Sequence, residues 1–476
     1  MNYNELEPKN VFHWFYELNQ IPRGSGNEKA VSDFLVDFAK KRNLEVEQDS
    51  VWNVIIKKKA SKGYENSIPV IIQGHMDMVC VKNDGVEHDF LKDPIKMSVD
   101  GDWIKAAGTT LGGDDGIAVA YALAVLDGDF EHPPLEVLIT TNEETGMDGA
   151  AAIKAGQLKG KRLLNIDSEL EGIFLVSCAG GATVETKFPA KEEATSKAGL
   201  SLHISGLKGG HSGQEIDKQR GNSNKLLFRI LNNVRKVTGV QVATVKGGSK
   251  HNAIPDEAIC TFVADDVKVA ADTVIKIAAL IKQEYIVEEP GLQIEVEKAS
   301  VKSAIVKEES DALIDFFVAV PNGVMMMSKD IQGLVQTSLN NAVVMQDAGK
   351  VVLETSVRSS SESELDSIID MIEVIGKHCK ASVEQTNRYP AWQFDQKSSL
   401  RDLSLKTYKD LFNKEATYSA IHAGLECGLL KKVLPDCDMI SYGPDMHDIH
   451  SPKERLSVSS SKRLWDFTVA LLKNMK

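Results

Sequence analysis

The chain has 476 residues, more than one hydrophobic core ordinarily serves, so at least two domains are expected and a small stapled scaffold is excluded. Lys and Arg number 55 against 68 Asp and Glu, a formal charge of -13 that argues against nucleic acid as a partner; most of the excess acid is expected to be solvated surface. Cys80, Cys178, Cys260, Cys379, Cys427 and Cys437 are scattered without a CxxC pair, which points away from a thiol-rich zinc site or a disulfide framework and toward reduced cytoplasmic thiols.

The amino terminus, MNYNELEPKN, carries acids and lacks the basic start and apolar run of a secretory signal, and no apolar stretch is long enough to span a bilayer. No targeting segment and no membrane partner are expected. Val31, Phe34, Leu35 and Phe38 recur at helical spacing and predict an amphipathic helix, followed by a strand in NVIIKKK. PVIIQ at 69–73, LEVLITT at 135–141 and RLLNI at 162–166 are short apolar runs, as expected of strands buried on both faces. Between the first two of these runs, GIAVAYALAVL from Gly116 predicts a helix rich in Ala and Leu. The alternation predicts an α/β domain built on a mostly parallel sheet.

From about Ala182 to about Pro390 the texture changes to alternating segments, LSLHISG, AICTFVA, LQIEVEK and VVLETSV, with two amphipathic helices. An inserted α+β lid domain is expected over 182–390, leaving 1–181 and 391–476 as two parts of one discontinuous catalytic domain. The order strands, helix, strands recurs near Lys225 to Arg235 and near Leu365 to Ile375, a hint of internal duplication. After Pro390, DMISYG predicts a strand and Ser457 to Leu472 a closing helix.

GHMDMV places His75 and Asp77 directly after a buried strand, where side chains of a parallel sheet reach the crevice in which ligands bind. LGGDDG supplies Asp114 and Asp115 at a helix start, TTNEETG puts Glu143 and Glu144 after another strand, and NIDSE adds Asp167. Each has an ordinary alternative: HxD as a capped loop, DD after glycines as a helix N-cap, adjacent glutamates as solvated surface. All four together fall at one edge of one inferred sheet. So many carboxylates would repel one another, and a divalent cation is the economical reason to gather them, with oxygen and imidazole donors suited to zinc.

The series GHMDMV, TLGGDDG, NEETGMDGA, NIDSE, KGGHSG and a late IHSP resembles the di-zinc metallopeptidase family that includes carboxypeptidase G, aminoacylases and bacterial dipeptidases. Within it the chain is similar throughout to the bacterial aminoacyl-histidine dipeptidases, also called cytosol non-specific dipeptidases, through HDFLKDPI, SCAGG, GGHSGQEI, HNAIP, PNGV and IHAGLECGL. The resemblance implies a cytoplasmic dipeptidase that cleaves dipeptides, including Xaa-His, with a water bridged by two zinc ions; Mn2+ or Co2+ could substitute. It implies that Asp114 bridges the ions, one also held by His75 and Asp167, the other by Glu144 and His450. Glu143 would be the general base, with Asp77 orienting His75 from behind. His211 would donate to the developing oxyanion, Asn252 and Arg358 would grip the substrate's terminal carboxylate, and His422 and Glu426 would line the pocket.

From residues alone, His211 reads equally as a turn histidine between glycines and Arg358 as a surface ion pair. Two features depart from the family: Asp115 follows the bridging aspartate where Asn is common, and Gly74 precedes the histidine motif where Ala is common. An N-acyl amino acid deacylase uses the same metals and the same carboxylate anchor, and a metal-dependent peptide-binding protein without turnover is the third reading. Smaller relatives supply the residue at His211 from a neighbouring subunit. The larger insertion here would supply it within one chain, and a homodimer remains open.

Overall fold

The computed structural model describes residues 5–476; Met1–Asn4, the start of the acidic amino terminus, lie outside the described residues. The chain divides into two units: Met1–Ser177 with Phe394–Ala420 and Leu425–Lys476, and Cys178–Gln393 with Ile421–Gly424. Among the described residues no helix is long and apolar enough to cross a membrane.

The first unit is α/β. Its eight-stranded sheet runs, in spatial order, Glu45–Gln48, Val54–Lys58, Leu135–Thr140, Val70–His75, Arg162–Asn165, Asp438–Ser441, Ile173–Cys178 and Thr417–Ile421. The four strands from Leu135–Thr140 through Asp438–Ser441 are parallel. Antiparallel neighbours flank them. Every residue of Val70–His75 and Leu135–Thr140 is buried, which explains why these strands read as unbroken apolar runs rather than alternations. Register places His75 opposite Thr140 and Gln73 opposite Asn165, so the segments after all three strands emerge side by side.

The predicted Ala/Leu-rich helix runs Gly113–Asp127 and is buried almost all round, packing on the helix Lys9–Asn19 and the strand Val70–His75. It starts three residues before the expected Gly116, but Asp114 and Asp115 inside its first turn have non-helical φ/ψ. A second, four-stranded sheet carries a hairpin of Met446–His447 and Arg455–Ser457 beside Trp103–Ala106 and Met97–Asp100.

The second unit is α+β, built on one antiparallel sheet with its own core, including Val184, Leu202, Leu227, Phe262, Phe316 and Leu353. Two repeats of strand-helix-strand-strand-helix-strand make it. One uses Gly199–Ser205, Ser223–Arg235, Val240–Gly247, Ala258–Ala264, Val267–Glu284 and Gln293–Ala299. The other uses Gly180–Pro189, Lys307–Ala319, Val335–Asp347, Lys350–Ser359, Glu362–His378 and Ser382–Tyr389, with short extra strands between. In both, the strands lie in the order second, third, first, fourth, and the second strands join the halves through Lys246↔Met345 and Gly247↔Val344.

The duplication is therefore nested, one repeat lying between the first strand and first helix of the other. This corrects the pairing expected from sequence: Ser223–Arg235 corresponds to Lys307–Ala319, and Glu362–His378 to Val267–Glu284. It also raises two long helices to four. Val267–Glu284 buries only Ala270, Val274, Ala278 and Ile281 and exposes Val269, Ile275 and Leu280, so its apolar stripe is blurred.

Candidate functional site

Five chain segments, carrying His75 and Asp77, Asp114, Glu143 and Glu144, Asp167, and His450, meet at the carboxyl ends of the parallel strands in the first unit. His75 closes its strand with Nε2 3.1 Å from Asp114 Oδ1 and 3.8 Å from Asp167 Oδ1. Its other nitrogen, Nδ1, lies 3.3 Å from Asp77 Oδ1. Asp77, wholly buried, also accepts the Ser25 hydroxyl at 2.8 Å and the backbone N–H groups of Glu143 at 3.0 Å and Glu144 at 3.3 Å. One carboxylate thus fixes both the imidazole and the turn carrying the paired glutamates. On the far side of Asp114, Oδ2 meets His450 Nε2 at 3.1 Å, and the same nitrogen lies 2.9 Å from Glu144 Oε2.

Donor atoms within 4.8 Å of one another form three groups: His75, Asp114 and Asp167; Asp114, Glu144 and His450; and His75, Glu143 and Glu144. The first two share Asp114. Glu144 Oε1 is buried and has no hydrogen-bond partner, as expected of a ligand atom awaiting a cation. Oxygen and imidazole donors without thiolate suit a hard or borderline divalent ion.

The electrostatics point the same way. Burial opposes charge on His75, yet hydrogen bonds to Asp114 and Asp77 hold its pKa well above 6.5. Hydrogen bonds to Asp114 and Glu144 push His450 up to about 10. Burial raises Glu143 to about 8, helped by Glu426, Glu144 and Asp114, and burial with Asp115 raises Asp167. The cage stabilises positive charge wherever it is offered.

Asp115 is buried with Oδ2 accepting the backbone N–H of His75 at 3.1 Å. A Cβ on Gly74 would stand 2.5 Å from that oxygen, so the two departures from the family pattern touch one another. Glu426 has no exposed surface; its Oε2 accepts Gln73 Nε2 at 2.5 Å and Thr140 Oγ1 at 2.8 Å. Expected as a pocket-lining residue, it bridges two strand ends from a buried position, with its Oε1 left without a hydrogen-bond partner and close enough to help raise Glu143. Asn165 Nδ2 extends that bridge to Gln73 Oε1 at 2.6 Å.

The second unit gathers the remaining predicted residues into a cluster in which Arg358 carries the positive charge. Arg358, 8% exposed, donates from Nη1 to Tyr389 Oη at 2.8 Å and leaves Nε buried without a partner. Among the described residues no carboxylate pairs with it, and it is buried, so the surface-ion-pair alternative does not describe it. Ser338, in register with Arg358, meets His422 Nε2 at 2.7 Å, while His422 Nδ1 is buried and unpartnered.

His211 Nδ1 accepts the backbone N–H groups of Gly213 at 3.2 Å and Gln214 at 3.0 Å, so its proton sits on Nε2. Burial and then Arg358 lower its pKa, and the same two causes with His211 lower His422 to about 3. Asn252 is half-buried and its carbonyl accepts the N–H of Ser212, beside His211. Sequence reasoning missed Ser338, Tyr389, Ser25 and two buried charges of the first unit, Arg23 and Glu454. Hydroxyls and isolated charges carry no motif of their own.

Comparison with known proteins fits this geometry. The model of peptidase family M20/M25/M40 matches residues 71–474. Cytosol non-specific dipeptidase of Escherichia coli (strain K12) is 40% identical over 479 residues, covering 99% of each chain. The crystal structure of aminoacylhistidine dipeptidase from Vibrio alginolyticus matches with a TM-score of 0.93 at 36% identity, over 100% of this chain and 98% of that one. Aminopeptidase PepT from Bacillus cereus ATCC 10987 shares the fold, with a TM-score of 0.58 at 15% identity over 99% of each chain. With its donor groups set at the ends of parallel strands and this likeness along its length, the chain belongs to peptidase family M20/M25/M40.

Proposed function

We propose that this protein is a cytoplasmic metallo-dipeptidase that hydrolyses dipeptides, Xaa-His among them. The observation that carries the reading is the pair of donor groups sharing Asp114, in a chain similar end to end to a relative named a dipeptidase. His75 and Asp167 would hold one zinc ion and Glu144 and His450 the other, with Asp114 common to both; Mn2+ or Co2+ suits the same donors. Bound there, the ions would supply a lowered pKa for water and polarisation of the scissile carbonyl.

Glu143 contributes no ligand bond in this reading. It accepts the proton of the attacking water and returns it to the leaving amine. Asp77 fixes the tautomer of His75 and so keeps Nε2 available to the cage. His211, with its proton on Nε2, donates to the carbonyl oxygen as that atom gains charge. Arg358 and Asn252 hold the terminal carboxylate, which suits a guanidinium that lacks a protein carboxylate, and His422 keeps the cluster's charge on Arg358 by staying neutral. The scattered cysteines and the cytosolic name of the Escherichia coli relative support the location.

A dipeptide panel on metal-stripped protein reconstituted with each ion tests this reading. Hydrolysis of Ala-His with N-acetyl-histidine left intact is the expected result. Preference for the acylated substrate would instead identify a deacylase, and binding of dipeptides without cleavage would identify a peptide-binding protein.

A further inference from the structure

The loop 448–454, between the hairpin strands Met446–His447 and Arg455–Ser457, carries His450 near its start and Glu454 at its end. Read as sequence, Glu454 lies in the charged run SPKER and looks solvated. In the fold it is only 3% exposed, and its carboxylate faces backbone. Oε2 accepts the N–H groups of Leu111 at 2.6 Å and Gly112 at 3.1 Å; Oε1 accepts those of Gly113 at 2.8 Å and Asp114 at 3.3 Å.

Four consecutive donors converge on one side chain at the amino end of the helix Gly113–Asp127, where free N–H groups and the helix dipole favour an anion. Gly112 has φ +69°, and a Cβ on Gly113 would come within 3.2 Å of Oε1, so the loop is shaped around this carboxylate. From the opposite face Arg23 Nη2 donates to the Gly112 carbonyl at 2.5 Å, and its Nη1 reaches the carbonyls of Met76 at 3.0 Å and Asp77 at 3.2 Å.

We propose that Glu454 is a positioning residue that clamps the Asp114 loop to the hairpin loop bearing His450, and so assembles the half of the metal centre made by Asp114, Glu144 and His450. The two ligands arise 336 positions apart; Arg455–Ser457 pairs with Trp103–Ala106, but among the described residues that ladder stops short of both His450 and Asp114. The clamp carries that connection on to Asp114 with four charge-assisted hydrogen bonds. His75, Asp167 and Glu143 arrive on neighbouring strands of the sheet and need no such device. The proposal rests on the two-ion reading given above.

The test measures zinc uptake by folded, metal-stripped protein in competition with a chromophoric chelator. Glu454→Ala should weaken one of the two sites about 10- to 100-fold, the usual effect of removing a group that orients ligands. Added formate, a free carboxylate that fits the vacated space, should restore affinity in that variant. Glu454→Gln is the same size and guards against a folding defect. It should lose affinity without rescue, because its amide nitrogen opposes two N–H donors and its side chain fills the space.

Wild-type protein that takes up no zinc pair would overturn the two-ion reading, and this inference with it. A wild-type pair together with unchanged affinity in both folded variants would overturn the clamp alone. A role in stability only would lower the unfolding midpoint of Glu454→Ala without a formate-sensitive change in zinc affinity, which also overturns it.

Discussion

Two pairs of histidines divide the molecule electrically. His75 and His450, in the first unit, are held above their ordinary pKa by hydrogen-bonded carboxylates, even though His75 is fully buried. His211 and His422, in the second, are pushed below it by burial and by Arg358. Burial alone would depress all four, so the sign is decided by which charges each ring faces. The contrast sets imidazoles surrounded by carboxylates in one unit against imidazoles beside a guanidinium in the other.

The contrast can be broken most severely at Glu143. Glu143→Ala should reduce turnover by about 100- to 10,000-fold, the range for a general base, while zinc content stays that of the wild type. Loss of zinc from this variant, measured by metal analysis, would make Glu143 a ligand and end the separation of roles from Glu144.

On the guanidinium side, Arg358→Lys keeps the charge but removes the planar fork. Its kcat/KM on dipeptides should fall by about 10- to 100-fold, as expected for loss of a hydrogen bond to a charged group. Dipeptide amides, which lack the terminal carboxylate, should be cleaved with little change between wild type and variant. Equal losses on both substrates would place Arg358 outside carboxylate recognition.

The smallest effect concerns pH. His422 has its pKa lowered from 6.5 to about 3 in the fold, so the unfolded chain binds the proton more tightly. Its contribution to stability is complete above 6.5 and is lost as pH falls from 6.5 toward 3. The slope is about 1.4 kcal/mol per pH unit, which gives about 2 kcal/mol between pH 6.5 and 5. Urea unfolding at the two pH values should show this loss in the wild type and not in His422→Gln. An equal acid loss in the variant would mean that other groups carry it.

The parallel core of the first unit was legible because its strands are unbroken apolar runs, and a strand end is one residue from the motif that follows it. His75, Glu143 and Asp167 could therefore be set at one edge by local reading alone. The second unit was legible as a change of texture but not as a nested duplication, since nesting reverses the order in which equivalent helices appear. Val267–Glu284 escaped notice because its outward face is also apolar. His422 and Glu426 were expected together in a pocket lining on the strength of the IHAGLECGL resemblance, and that short string could not show that Ile421–Gly424 and Leu425–Lys476 fall in different units.

Composition, apolar periodicity and donor chemistry are short-range properties, and the sequence by itself determined them: an α/β unit with carboxylates and imidazoles after its strands, and an alternating insertion with lone cations. Only the tertiary structure decided which of those groups share an ion-sized space and what becomes of the charges between motifs. Glu454 and Asp114 are 340 positions apart, and nothing local distinguishes a glutamate in water from one wrapped by four peptide N–H groups. That distinction depends on which backbone the fold delivers to the side chain, because a buried carboxylate persists only where donors replace its water.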